Sequence, residues 1–134
     1  MEDIFVGRLM SSPVETVSPD TPVHVAAEKM MDEGIGSVIA TDEAGQLAGI
    51  LTATDFVRVA AEQRWAPDAT VETYMTTDVT TTDANAEVRD IADLMIEEGF
   101  HHVPVVDDEE GVVGIVTTTD ITAYISKVQT PSPE

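Results

Sequence analysis

Two copies of one short stretch carry the side chains best placed for chemistry. Gly49-Ile50-Leu51-Thr52-Ala53-Thr54-Asp55 recurs as Gly114-Ile115-Val116-Thr117-Thr118-Thr119-Asp120, 65 positions later. Each copy sets two hydroxyls and a carboxylate where an apolar strand hands over to a helix. The start of a helix offers unpaired N–H groups and a partial positive charge, which suits an anion. An ionised Asp only accepts hydrogen bonds, so it suits a diol that donates them. The same spacing, a Thr followed three residues later by an acid, is also that of a helix capping box, although Glu is the usual acid there. Ligand contact and helix closure are therefore both open readings of Thr52/Asp55 and Thr117/Asp120.

A second candidate is His101-His102. Free imidazole titrates near ~6.5, so the pair would be partly cationic at pH ~6, and a nearby phosphate would raise that value. The alternative is that one His packs or caps and the other is solvated. Neighbouring residues on a strand point to opposite faces, which argues against the pair as a metal site. The matching positions of the first copy, Gly36-Ser37, bring no charge, so the two copies should differ. Arg58 lies one turn after Asp55 and could reach a phosphate; pairing with Glu62 at i,i+4 is the expectation. Trp65 is expected to close the core or an oligomer contact, and His24 and Arg89 to lie on the surface. No nucleophile–base constellation, phosphate-cradling Gly-rich loop or metal cluster is present, so neither catalytic nor metal-ligating residues are assigned and an enzyme is not expected.

The elements that position these residues follow the same duplication. The offset of 65 also aligns Met10 with Met75, Val14 with Val79, Met30 with Met95, Gly34 with Gly99 and Asp42 with Asp107. A repeat constrains the whole fold. In the first copy, alternation predicts a strand over 14–17, then a helix entered at Pro22 with Val23, Ala26, Ala27, Met30 and Met31 inward and Gly34 as its stop. Strands over 37–41 and 47–52 flank a turn, and a helix from about Thr54 turns Phe56, Val59 and Ala60 inward. The second copy predicts a strand over 79–82, a helix over 86–98, strands over 102–106 and 112–117, and a helix over 119–128 with Ile121, Tyr124, Ile125 and Val128 as its apolar stripe. Residues 4–10 read only as a mixed apolar lead-in. Each unit is β-α-β-β-α, giving an α+β fold of mixed helix and strand. The organisation is repeat 1 over 1–66, repeat 2 over 67–128 and a disordered tail over 129–134.

A unit of this size buries only ~60% of its unfolded surface, so one core running through both copies is expected. The 43% of hydrophobic residues suffices for it. The 26 acidic residues against six basic ones leave a net charge of −20, with only Lys29 and Lys127 as lysines. Such a surface repels nucleic acid and anionic membranes, and neither is expected as a partner. The acids alternate with apolar positions, unlike a disordered charge block. No Cys is present, which excludes disulfides and thiol chemistry. The acidic Met1-Glu2-Asp3 without a following apolar segment argues against a signal peptide, and no apolar run nears 18 residues. A cytoplasmic location is the expectation.

The tandem β-α-β-β-α unit, each copy ending Gly-apolar-apolar-Thr-Xaa-Thr-Asp, resembles a pair of CBS domains, named after cystathionine β-synthase and also called a Bateman module. The resemblance runs from about Leu9 to Val128. It includes Met10-Ser11, Met75-Thr76 and Gly99-Phe100-His101-His102-Val103-Pro104-Val105-Val106-Asp107. It implies a pseudo-two-fold arrangement with two clefts between the repeats, which in many members bind AMP, ADP, ATP, S-adenosylmethionine or a dinucleotide. By match, Asp55 and Asp120 would hold ribose hydroxyls. Thr52 and Thr117, with Thr54 and Thr119 beside them, would face phosphate. In relatives such as the regulatory subunit of the AMP-activated kinase, the place of His101-His102 often carries His-Arg, which contacts phosphates. Family geometry would bring His101-His102 to the Asp55 cleft and Gly36-Ser37 to the Asp120 cleft.

What the resemblance implies is a stand-alone regulatory module, with no covalently required cofactor, that binds an adenosine ligand and signals to an unidentified protein by a change of conformation or assembly. Relatives often dimerise, so a homodimer is the default. Basic residues are few, so a triphosphate would need Mg²⁺ or salt cations, which favours AMP, ADP or the cationic S-adenosylmethionine. The reading from another class is a ligand-free scaffold that uses apolar helices to dimerise or to dock an enzyme. A folded, acidic, Lys-poor chain also resembles the proteins of salt-loving archaea. At molar salt the Debye length falls to ~3 Å and screens the carboxylates from one another. The expected outcome is that far-UV circular dichroism shows the native fold in ~2 M KCl and its loss at ~10 mM salt, where screening reaches only ~30 Å; an unchanged spectrum at low salt defeats the salt requirement.

Overall fold

The computed structural model describes residues 4–129. The expected tail therefore lies outside the described residues, except Gln129. The order of elements is α1 (Val6–Leu9), β1 (Thr16–Val17), α2 (Val23–Glu33), β2 (Ser37–Thr41), β3 (Leu47–Thr52), α3 (Ala53–Ala61), α4 (Val71–Tyr74), α5 (Val88–Glu98), β4 (His102–Asp107), β5 (Gly111–Thr117) and α6 (Thr118–Gln129). The mixed α+β class and the duplicated order are as the sequence implies. Both first long helices stop on a left-handed glycine, Gly34 at φ 65° and Gly99 at φ 74°, a conformation without steric cost only for glycine. Among the described residues no helix is long and apolar enough to cross a membrane.

The chain forms two compact units, and each takes its first segment from the other repeat. One contains residues up to Val14 together with Thr80–Glu109 and the chain from Val113; the other contains Glu15–Val79 with Glu110–Val112. In the first unit the lead-in forms an antiparallel bridge, Phe5 to Glu87. Val6 N–H donates to the Ala86 carbonyl (2.8 Å) and Val88 N–H to the Ile4 carbonyl (2.7 Å). In the second, Val23 N–H donates to Ala69 (3.0 Å) and Val71 N–H to Thr21 (2.8 Å), closing the bridge of Pro22 to Thr70. These bridges explain where the expected helix over 86–98 starts late. Ala86 closes a turn on Asp83, Glu87 is held extended against the lead-in, and the helix begins at Val88.

The buried apolar residues form two clusters where the size of the repeats predicts one core. Val23, Ala26, Met30, Val38, Ala40, Leu51 and Val59 pack with Val71 and Tyr74 of the second lead-in. Ile91, Met95, Val103, Val105 and Val116 pack with Val6 of the first. The exchanged lead-in supplies each cluster with side chains that its own repeat lacks. Both lead-ins turn into short helices, α1 and α4, which the sequence pattern did not single out because four residues carry less than two turns of periodicity.

Other differences are local. The strand expected over 14–17 shrinks to Thr16–Val17, parallel to β2, and that over 79–82 to one parallel bridge, Thr82 to Val105. Met31, expected inward, is 84% exposed, and Ile96, at the matching position of α5, is 82% exposed. Ala60 and Ile125 are likewise exposed rather than inward, and the side chain of Val128 lies outside the described residues. The apolar stripe is thus narrower than read, because a helix laid on so small a sheet buries little more than its i, i+3 and i+7 positions. Trp65 stacks on Tyr74 (5.9 Å, 12°), whose hydroxyl donates to the Arg64 carbonyl and accepts from Ala66 N–H. Trp65 itself stays 48% exposed, against the ring of Tyr74.

The motif glycines mark where the lead-ins cross. Ser11 and Ile115 exchange backbone hydrogen bonds (2.8 and 3.1 Å), as do Thr76 and Ile50 (2.8 and 2.9 Å). A Cβ on Gly114 would lie 2.7 Å from Met10 Sδ and 2.9 Å from the Ser11 carbonyl; one on Gly49 would lie 2.7 Å from Met75 Sδ and 2.8 Å from the Thr76 carbonyl. The thioethers can move, but the carbonyls belong to the paired backbone. Gly49→Ala and Gly114→Ala are each expected to cost about 1–3 kcal/mol as overpacking, read as a lowered midpoint in thermal unfolding. Midpoints equal to the parent's would show that the crossing has slack.

Candidate functional site

The two Thr-X-X-Asp turns are built alike. β3 runs straight into α3, and Thr52 takes the N-cap with extended backbone (φ −118°, ψ 165°). Its hydroxyl accepts from Asp55 N–H (3.3 Å), while its own N–H donates to Asp55 Oδ2 (2.8 Å) and its hydroxyl donates to the same oxygen (3.2 Å). That is a complete capping box with Asp as the acid. Thr117 and Asp120 repeat it, with Thr117 N–H to Asp120 Oδ2 at 2.9 Å and Asp120 N–H to Thr117 Oγ1 at 3.1 Å. Helix closure, one of the two readings of the motif, is thus realised in both copies. The hydroxyls of Thr52 and Thr117 serve as caps, whereas Thr54 and Thr119, one residue before each Asp, are exposed.

The strand that precedes each hairpin closes the other side of the turn. Ala53 N–H donates to the Gly36 carbonyl (3.0 Å) and Thr118 N–H to the His101 carbonyl (3.1 Å). Ser37 is buried and registers opposite Thr52. Within each unit, therefore, Gly36 and Ser37 stand beside Thr52–Asp55, and His101 and His102 beside Thr117–Asp120.

The two turns differ in their surroundings. Asp55 is buried, and its Oδ1 accepts from Arg58 Nη1 at 3.0 Å. This corrects the expected Arg58–Glu62 pair. Glu62 is the C-cap of α3, beyond its last helical residue, and bridges Arg64 instead. Arg58 follows Asp55 by one turn, and that i,i+3 spacing was the signal in the sequence for this pair. Asp120 is only partly buried, and its Oδ1 accepts from the hydroxyl of Ser11 at 3.2 Å. Ala123 occupies the position that matches Arg58. The titratable group near this carboxylate is His102. Burial pushes the His102 imidazole below its ordinary value of 6.5, His101 lowers it further, and Asp120 opposes both. His102 is thus held toward its neutral form, where the sequence predicted partial positive charge. His24 and Arg89 are exposed, as expected. Among the described residues no group of three or more His, Asp or Glu side chains could hold a metal ion.

A paired strand–turn–helix of this kind, present twice, is what the CBS domain model matches, at residues 6–62 and 71–127. The chain belongs to the CBS domain family. It carries two copies of the domain, and solved CBS pairs share its fold. The CBS domain pair of protein MJ0100, solved in complex with 5′-methylthioadenosine and S-adenosyl-L-methionine, is 30% identical. It covers 96% of this chain and 100% of its own, with a TM-score of 0.86. An uncharacterised 17.7 kDa protein of Acidianus ambivalens is 31% identical over 125 residues, 93% of this chain and 75% of the relative. The L-aspartate semialdehyde sulfurtransferase of Methanocaldococcus jannaschii is 33% identical over 117 residues, but this CBS pair spans only 22% of that enzyme.

The lowered value of His102 has a sign that can be tested. The unfolded chain binds the proton more readily than the folded one, so stability rises with pH through this window. The contribution is fully present above 6.5 and is lost as pH falls below it toward the folded value. Between pH ~7.5 and ~5.5 the thermal midpoint of the parent should fall more than that of His102→Gln; parallel profiles would show that His102 titrates freely.

Proposed function

We propose that this CBS pair is a regulatory module that binds an adenosine ligand at its Thr-X-X-Asp turns, through Asp55 and Asp120 to the ribose and through the exposed Thr54 and Thr119 toward phosphate. The carrying observation is the likeness, over almost the whole chain, to a CBS pair that was solved with two adenosine compounds. The chemistry of the turns supports it. A carboxylate that is already fixed by a capping box is held in place for a diol at little further cost in side-chain entropy. Binding would shift the population of conformations or of a homodimer, which an unidentified partner reads. Exposed Met31, Val57 and Ile96 support self-association. With a charge of −20, a triphosphate is the poorest fit unless Mg²⁺ or salt cations accompany it. The same charge supports a high-salt, archaeal-type cytoplasm as its setting. In the longer relatives that are named as enzymes, the matching CBS pair is a small part.

The experiment is thermal unfolding in ~2 M KCl with AMP, ADP, ATP, S-adenosylmethionine, 5′-methylthioadenosine and NAD in separate wells. A ligand at 100 times its dissociation constant adds ~2.7 kcal/mol, a shift of several degrees in a domain of this size. Asp120→Ala and Asp55→Ala should each lose about 1 kcal/mol of capping and the ligand shift from one turn. Unaltered ligand shifts in both variants would defeat the site assignment. No shift with any ligand would favour the second reading, a scaffold that docks a partner through the exposed apolar side chains.

A further inference from the structure

We propose that Arg58 is a specificity-determining latch: seated on Asp55, it closes that turn to uncharged adenosine ligands while the Asp120 turn accepts them. The inference rests on the adenosine-ligand reading above. A carboxylate has about four acceptor sites. Two on Asp55 Oδ2 are taken by the N–H and the hydroxyl of Thr52, and Oδ1 is taken by Arg58 Nη1 at 3.0 Å. The side chain of Asp55 is 6% exposed, so little of it beyond the Arg58 contact faces solvent. A ribose diol can reach Oδ1 only where the guanidinium now sits.

Asp120 lacks such a guard. Its matching residue is Ala123, and the group on its Oδ1 is the hydroxyl of exposed Ser11, which rotates away or turns acceptor without leaving a charge unpaired. Thr76, at the position that matches Ser11, pairs its backbone with Ile50 just as Ser11 does with Ile115. The two turns therefore share one cap and differ in what guards the carboxylate.

The latch has a chemical key. The side chain of Arg58 is 53% exposed, so it can swing off Asp55 without breaking any packing of the core. It exchanges Asp55 for an oxyanion that takes the guanidinium in bidentate fashion, as phosphate does and chloride cannot. An adenosine ligand that carries phosphate can replace Asp55 as the partner of Arg58 and free Oδ1 for the ribose. An uncharged one cannot. Because Asp55 is buried, salt screens this pair less than a surface pair, so the latch holds in concentrated KCl.

The test is binding stoichiometry by isothermal titration calorimetry on the full chain in ~2 M KCl, with 5′-methylthioadenosine as the uncharged probe and AMP as the anionic one. The parent is expected to bind 5′-methylthioadenosine at one site and AMP at two. Arg58→Ala should bind 5′-methylthioadenosine at two sites, the second tightened at least about tenfold. Arg58→Lys, which keeps a cation on Asp55, should stay at one. Two equal sites for 5′-methylthioadenosine in the parent, a single AMP site in the parent, or one site in a folded Arg58→Ala each overturn the latch. Binding of neither probe to the parent overturns the adenosine reading itself and the latch with it.

Discussion

Paired backbone hydrogen bonds between Ser11 and Ile115, and between Thr76 and Ile50, cross over glycines that have no room for a side chain. Much of the architecture depends on that close approach. It brings each lead-in onto the hairpin of the other repeat, so that Val6 completes one buried cluster while Val71 and Tyr74 complete the other. A repeat of about sixty residues is marginal by itself. Exchanging the first segment gives each cluster extra apolar material and makes both units depend on one continuous chain.

The same crossing reaches the candidate site. Ser11 arrives beside β5 with its backbone paired and its hydroxyl on Asp120. The strand ends, the helix starts, and the capping box fixes the carboxylate in a single step of chain. Closing the helix and presenting an acceptor are then one arrangement serving two purposes, which is why the motif admitted both readings. The acid is Asp in each copy, and its shorter side chain still reaches back to the Thr N–H at 2.8 Å in one turn and 2.9 Å in the other.

Duplication makes the differences informative. Turns with the same cap have unlike electrostatics: a guanidinium on a buried carboxylate in one, and a half-buried imidazole held toward neutrality near a partly buried carboxylate in the other. In a chain with only six Lys and Arg residues, one Arg committed to Asp55 is a large share of the positive charge.

The repeat, its β-α-β-β-α order, the glycine helix stops and the Thr-X-X-Asp turns are all legible in the chain of residues. Each of these rests on local periodicity, on a residue with a special backbone, or on partners within three or four positions. The two long hairpins and both major helices were legible for that reason. Which lead-in packs with which repeat is a matter of long-range packing, since Met10 and Gly114 meet across more than a hundred residues and nothing local marks the pair. Packing also seats Arg58 on the buried Asp55 while Glu62 pairs with Arg64, and burial outweighs Asp120 at His102. Charge states and partners of that kind depend on depth below the surface, which a linear pattern does not carry.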